Sequence, residues 1–238
     1  MTDNTLQNQD KLRQRFQAVQ QRIRRAEDAC GRNADSVALL AVSKTRNSDE
    51  IRALAAQGHR LFGENYLQEA LNKIARLQDL DLSWHFIGRI QSNKTRQIAE
   101  HFDWVHSVAS LKHATRLSEQ RPAHLPPLNI CVQINTSGEA SKDGHSPEEL
   151  GQLLPAYQEL ANIRVCGLMT IPAPTQESGD PRQPLRLLRQ LRDQLRSHDT
   201  PLETLSMGMS DDLEAAIREG ATIVRIGTAI FGPRQYNQ

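Results

Sequence analysis

The chain has 238 residues, 38% of them hydrophobic, with 29 basic residues against 28 acidic ones for a net charge of +1. That length suits one large α/β barrel and falls short of two full domains. The charge balance fits neither a disordered tail nor a dedicated duplex-DNA binder, and the longest apolar run, residues 37–42, is too short to span a bilayer.

The first residues, MTDNTLQNQD, contain no apolar stretch of signal-peptide length, and residues 1–10 are expected to form a flexible N-terminus. Residues 11–29 follow as an amphipathic helix, with Leu12, Phe16, Val19, Ile23 and Ala26 on one face and arginines on the other. The basic residues Lys11, Arg13, Arg15, Arg22, Arg24 and Arg25 could mark a nucleic-acid or partner surface. The apolar opposite face favours a solvated face on a docked helix, as it does for the Arg-rich stretch 186–196, and RNA binding would need stacking aromatics that are missing.

After Gly31 the continuous apolar run of residues 37–44 predicts a buried parallel strand, and a helix over 48–57 follows, stopped by Gly58. The unit then repeats. Strands are predicted at 60–63, 84–87, 104–108, 128–134, 163–169, 204–207 and 223–226. Helices are predicted at 66–77, 93–101, 111–119, 147–160, 185–196 and 211–219. Strands alternating with helices imply a parallel sheet, and eight such units imply a single (β/α)8 TIM-type barrel with an extra N-terminal helix. A doubly wound open sheet is the alternative, and its Gly-rich first turn is absent. No Gly/Ser linker divides the chain, so residues 11–232 form one barrel domain and 233–238 a C-terminal tail. Cys30, Cys131 and Cys166 are odd in number without a C-x-x-C pair, which suits a reducing cytoplasm. The eight histidines show no ligand spacing, so no metal site is expected.

In this architecture reactive groups sit just beyond the C-terminal strand ends. The polar residues that interrupt the strands are therefore candidates: Ser43-Lys44-Thr45, Glu64-Asn65, His85, His106-Ser107, Asn135 to Ser137, Thr170, Ser206 to Ser210, and Arg225 with Gly227-Thr228. Lys44 ends the most apolar strand in step with Ala38, Leu40 and Val42. Desolvation there would favour the neutral amine that imine formation needs, whereas a snorkelling lysine would serve no chemistry. The turns around Ser210 and around Gly227-Thr228 follow strands seven and eight, where this fold commonly cradles phosphate on free backbone amides. Ordinary turn chemistry is the alternative. A strand-one lysine with a phosphate cradle describes either a Schiff-base aldolase for sugar phosphates or a pyridoxal phosphate (PLP) site. Arg225, facing inward, could meet the cofactor's pyridine nitrogen, where a guanidinium only donates and leaves that nitrogen unprotonated. It could equally hold a phosphate or carboxylate.

The motifs LAVSKT (40–45), FGENY (62–66), HFIG (85–88) with QSNK (91–94), NTSGEASKDG (135–144), GLMTI (167–171), LSMGMSDDLEA (205–215) and VRIGTAIFG (224–232) together resemble the pyridoxal phosphate homeostasis protein family, relatives of the alanine racemase N-terminal domain. The resemblance runs from the first helix to the C-terminus. It implies a PLP fold-type III barrel with Lys44 as the covalent imine lysine, Ser210, Gly227 and Thr228 around the phosphate, Arg225 near the pyridine nitrogen, and Asn65 lining the ring pocket. Asn47 and Arg89 depart from the family pattern, and both flank motifs rather than supply ligands.

The resemblance implies a role in intracellular PLP homeostasis as a carrier or buffer with little or no turnover. Racemisation needs acid/base groups on both faces of the substrate carbon. The related racemases take the second from an added β domain and a partner subunit, for which a chain ending at Gln238 leaves no room. Tyr66 is the nearest internal candidate. A PLP-dependent amino-acid racemase is thus the second reading and a cofactor-free Schiff-base aldolase the third. The expected partners are PLP and, transiently, PLP-dependent apoenzymes, with no nucleic acid or membrane, and the barrel is expected to be a monomer. Lys142, in the polar loop after strand five, is expected to be a solvated lysine, with a secondary attractor for the anionic cofactor as the alternative.

Overall fold

Alternate residues of the first strand, β1 (Ala38–Val42), serve two different cores. Leu39 and Ala41 join the large apolar cluster between strands and surrounding helices, whereas Leu40 and Val42 pack with Ile87 and Ile223 in a small separate cluster inside the sheet. This period of two is what a parallel strand buried on both faces demands. In this computed structural model, which describes residues 3–139, 143–172 and 180–233, the pattern recurs around eight parallel strands. They are β1, β2 (Leu61–Glu64), β3 (Ser83–Phe86), β4 (Trp104–Val108), β5 (Leu128–Gln133), β6 (Ile163–Met169), β7 (Thr204–Ser206) and β8 (Ile223–Ile226). They follow one another in chain order around a closed barrel, and pairing of β1 with β8 sets Leu40 opposite Arg225.

The intervening helices are α2 (Ser48–Ala55), α3 (Leu67–Arg76), α4 (Thr95–His101), α5 (Leu111–Gln120), α6 (Pro147–Gln158), α7 (Gln183–Leu195) and α8 (Leu213–Arg218), preceded by α1 (Asp3–Ala29) and followed by α9 (Thr228–Phe231). The helix α1 starts in the stretch expected to be a flexible N-terminus. Its five expected apolar residues, from Leu12 to Ala26, are buried against α2, α8 and α9. Arg22 on its basic side pairs with Glu214 at 2.8 Å. The basic helix is therefore a docked helix. The short α9 lies in what reads from sequence as the tail of the last unit. The helix α8 begins two residues later than the pattern suggests, because the Asp212 side chain is engaged in accepting from the Met209 amide at 2.6 Å. Asn47, one of the two departures from the family pattern, caps α2 in a reciprocal box with Glu50. Arg89, the other, pairs with Asp143 at 3.1 Å.

Candidate functional site

All six expected site residues lie at or near the C-terminal mouth of the barrel. Lys44 is half-buried two residues past the end of β1, in phase with the interior residues Leu40 and Val42. The turns after β7 and β8 come together: the Ala229 amide lies 3.4 Å from Ser210 Oγ, and Gly227 sits so close to β1 that an added Cβ would be 3.3 Å from the Val42 carbonyl oxygen. Ser210, Gly227 and Thr228 thus lie side by side, next to the end of the strand that leads to Lys44. Gly208 makes this turn possible. Its φ is +94°, and a Cβ there would meet the Ala216 Cβ at 2.4 Å. Arg22 of α1 braces the same turn from behind, donating to the Ser210 carbonyl at 3.1 Å.

Arg225 points into the barrel and is 5% exposed. Its Nη2 donates to the Thr170 carbonyl at 2.8 Å, and Nη1 donates to the Ser206 carbonyl and, at 2.8 Å, to Ser206 Oγ. Burial pulls the guanidinium down to about 10, so it stays charged at neutral pH. Ser206 Oγ, which accepts from Arg225, lies 2.7 Å from His106 Nδ1. His106 Nε2 in turn lies 2.9 Å from His85 Nδ1, and His85 Nε2 lies 3.2 Å from Ser83 Oγ. Arg225, Ser206, His106, His85 and Ser83 thus form one hydrogen-bonded chain across the barrel. Burial pushes His85 down to about 3 and His106 well below the ordinary imidazole range, which keeps both neutral. His85 also stacks on Trp104 with ring centroids 5.6 Å apart.

A second buried network lies behind Lys44. Lys73 Nζ donates to Glu64 Oε1 and to the Ser43 carbonyl, each at 2.7 Å, and to Glu69 Oε1. Ser43 Oγ donates to Glu64 Oε1 at 2.6 Å. Glu64 is fully buried, and burial raises its carboxyl while Lys73 pulls it back.

Asn65 follows the end of β2, where the backbone of Gly88 presses against it. A Cβ on Gly88 would stand 2.0 Å from the Asn65 carbonyl oxygen. Asn65 Oδ1 is buried with no hydrogen-bond partner among the described residues. Tyr66, Ile171 and Met209, the large apolar side chains that stay exposed among the described residues, all follow strand ends on this face. Lys142 lies outside the described residues, and of the expected tail only Pro233 lies within them. A cavity of about 890 Å³ opens at the opposite end, lined by strand-start residues such as Trp104, Asn129 and Thr204, and shares none of the six.

Sequence reasoning marked Glu64, His85, His106 and Ser206 only as strand interruptions, counted Arg22 only among the basic residues of the first helix, and missed Lys73 and Glu69 altogether. Lys73 had a visible signal. It falls in phase with Ala70 and Leu77 on the stripe of α3 that faces the barrel, where a lysine requires a buried partner.

A closed eight-stranded parallel barrel with a lysine past β1 and a Gly/hydroxyl cradle after β7 and β8 defines the class. Residues 14–235 match the family model described as alanine racemase, N-terminal domain. The pyridoxal phosphate homeostasis protein of Pseudomonas aeruginosa is 61% identical over 218 residues, covering 92% of this chain and 94% of that one. The protein of the same name from Escherichia coli strain K12 is 49% identical over 223 residues, with coverage of 92% and 95%. Among solved structures, PipY of Synechococcus elongatus PCC7942 with PLP bound is 37% identical, superposes with a TM-score of 0.75, and covers 88% of this chain and 100% of that one. The chain belongs to the family of the pyridoxal phosphate homeostasis proteins, within the alanine racemase N-terminal-domain class.

Proposed function

We propose that this protein binds PLP covalently at Lys44 and serves as an intracellular carrier or buffer of the cofactor, with little or no turnover. When bound, PLP supplies an aldehyde that condenses with a primary amine, releasing water, and a phosphate dianion that needs hydrogen-bond donors. The residues present fit both demands. Lys44 offers the amine at the mouth, and the adjoining turns of Ser210, Gly227 and Thr228 offer hydroxyls and backbone amides beside the end of β1. Arg225, held by Ser206 and Thr170, would offer a donor-only group to the ring nitrogen, and Asn65, whose buried Oδ1 has no partner among the described residues, would face the ring. A donor-only partner leaves the ring a weak electron sink, which suits holding over catalysis.

The observation that carries this reading is the close approach of Gly227, and with it the strand-seven and strand-eight turns, to Val42 two residues before Lys44, in a chain 37% identical to a protein solved with PLP bound. The carrier role is supported by the name of relatives at 61% and 49% identity. It is supported too by Tyr66, the internal candidate for a second acid/base group, which is 52% exposed. The free thiols Cys30, Cys131 and Cys166 accord with a reducing cytoplasm, and PLP-dependent apoenzymes are the expected transient recipients. Among the described residues no helix is long and apolar enough to cross a membrane.

Loading with PLP, fixing with borohydride and mapping peptides by mass spectrometry tests the assignment. A single adduct on Lys44, absent from Lys44→Ala, is expected, together with alanine racemisation far below ordinary enzymic rates. An adduct elsewhere, or none, would sink the site assignment. Steady racemisation would sink the carrier role instead.

A further inference from the structure

The peptide units on both sides of Lys44 are tethered to one cluster, buried at Glu64 and Lys73 and open to solvent at Glu69. Upstream, Lys73 holds the Ser43 carbonyl at 2.7 Å while Glu64 accepts from the Ser43 hydroxyl at 2.6 Å. Downstream, the Thr45 amide donates to Glu69 Oε1 at 2.6 Å, and the same oxygen accepts from Lys73. Glu69 and Lys73 stand one turn apart on α3, so a single helix face grips both neighbours of the lysine.

Thr45 itself is in the left-handed region, with φ at 63°. A β-branched residue seldom adopts that conformation, which persists only where the surroundings over-determine it. The other non-glycine residues with positive φ among those described are Asp35 and Leu202, and neither adjoins a candidate site residue. At Thr45 the over-determining contact is a carboxylate oxygen of Glu69, fixed by the buried Lys73 and accepting from the amide.

We propose that Glu69, held in place by Lys73, is a positioning residue for Lys44: it keeps Thr45 left-handed, and that turn sets the direction in which the Lys44 amine leaves the strand. This rests on the reading that Lys44 takes PLP. Without the Glu69 acceptor, Thr45 relaxes toward ordinary φ, the peptide between 44 and 45 rotates, and the amine must be re-aimed each time PLP binds. Such preorganisation costs affinity when it is lost, not the ability to react.

The test is PLP titration by absorbance and by mass of the borohydride-fixed adduct, beside a melting curve of each unloaded protein. Glu69 is 30% exposed and Lys73 retains Glu64, so Glu69→Ala should fold. It should bind PLP about tenfold more weakly, the scale of one strained backbone position. Adding Thr45→Gly to that variant should restore affinity to within about twofold, since glycine takes this φ without strain. Glu69→Gln, which keeps an acceptor oxygen, should bind as the unaltered protein does. A folded Glu69→Ala with unaltered affinity, or a double variant that is not rescued, overturns the proposal. Should Glu69→Ala not fold, Glu69→Gln decides: retained affinity supports the positioning role and lost affinity overturns it. If the unaltered protein forms no adduct at Lys44, it is the PLP reading that falls, and this inference with it.

Discussion

Acid should unfold this barrel early, and the size of the effect follows from its buried histidines. Burial pulls His59 down to about 4, His85 to about 3, and His106 well below the ordinary value of 6.5. His113 and His145, less buried, shift the same way. Above pH 6.5 each ring is neutral in both folded and unfolded chains and contributes nothing to pH dependence. Below it the unfolded chain takes up protons that the folded chain refuses. Each fully shifted histidine then removes about 1.4 kcal/mol of stability per pH unit until its folded value is reached. His59, His85 and His106 together make this roughly 4 kcal/mol per unit. Glu64 works in the opposite sense. Its raised carboxyl returns stability as pH falls from its folded value toward the ordinary 4.5, at no more than one histidine's slope. Below about pH 6 the histidines therefore remove roughly 4 kcal/mol per unit, and less wherever Glu64 is taking up its proton, against a total of roughly 5–15 kcal/mol for a domain. Urea midpoints measured in steps from about pH 7.5 to pH 5 at fixed ionic strength give the slope directly. His59→Phe supplies the control, because a phenyl ring can keep the edge-on contacts with Phe16 and Phe62, at 5.2 and 5.1 Å, and cannot titrate. It should remove about a third of the histidine slope. Midpoints that stay flat from pH 6.5 to pH 5 would refute the assignment of neutral buried histidines.

Two further outcomes follow from the mouth. Ser206→Ala deprives His106 Nδ1 of its hydrogen-bond partner and Arg225 of one acceptor, so calorimetry should show a loss of about 2 kcal/mol, roughly 5 °C in melting temperature. PLP affinity should fall with it while the adduct still maps to Lys44. Gly208→Ala combines a positive φ with a 2.4 Å approach to Ala216 and should cost about 2–4 kcal/mol in urea unfolding. Ala216→Gly in the same chain should return the part due to the clash and leave about 1 kcal/mol due to φ.

Much of this arrangement is legible in one sequence because a barrel strand carries its own period. The run from Ala38 to Val42 announces a strand buried on both faces, and counting by twos from Ala38 places Lys44 on the interior side. Glycines beside hydroxyls at Ser210 and Thr228 announce turns in the two places where the fold gathers phosphate donors. What stays hidden is anything set by the register between elements. His85 and Ser206 interrupt their strands visibly, yet nothing in the spacing of residues 85, 106 and 206 says that the side chains meet across the lumen. That depends on barrel stagger, a property of eight pairings at once. Lys73 is a milder case. Its phase on α3 is readable, but its partners Ser43 and Glu64 become neighbours only after α3 docks behind β1 and β2. The early start of α1 has another cause: its first turns are polar, so no apolar stripe signals them.

The pairing of β1 with β8 also bears on how the molecule is made. Lys44 leaves the ribosome well before the amides of Gly227 and Thr228. Until β8 arrives, β1 has one unpaired ladder edge, which in a nascent chain invites strands from neighbours. The turn after β7 also docks on α1, through Arg22 on the Ser210 carbonyl. Pairings that distant in sequence are slow to form. The mouth is therefore completed only when β8 reaches β1, however early Lys44 was made.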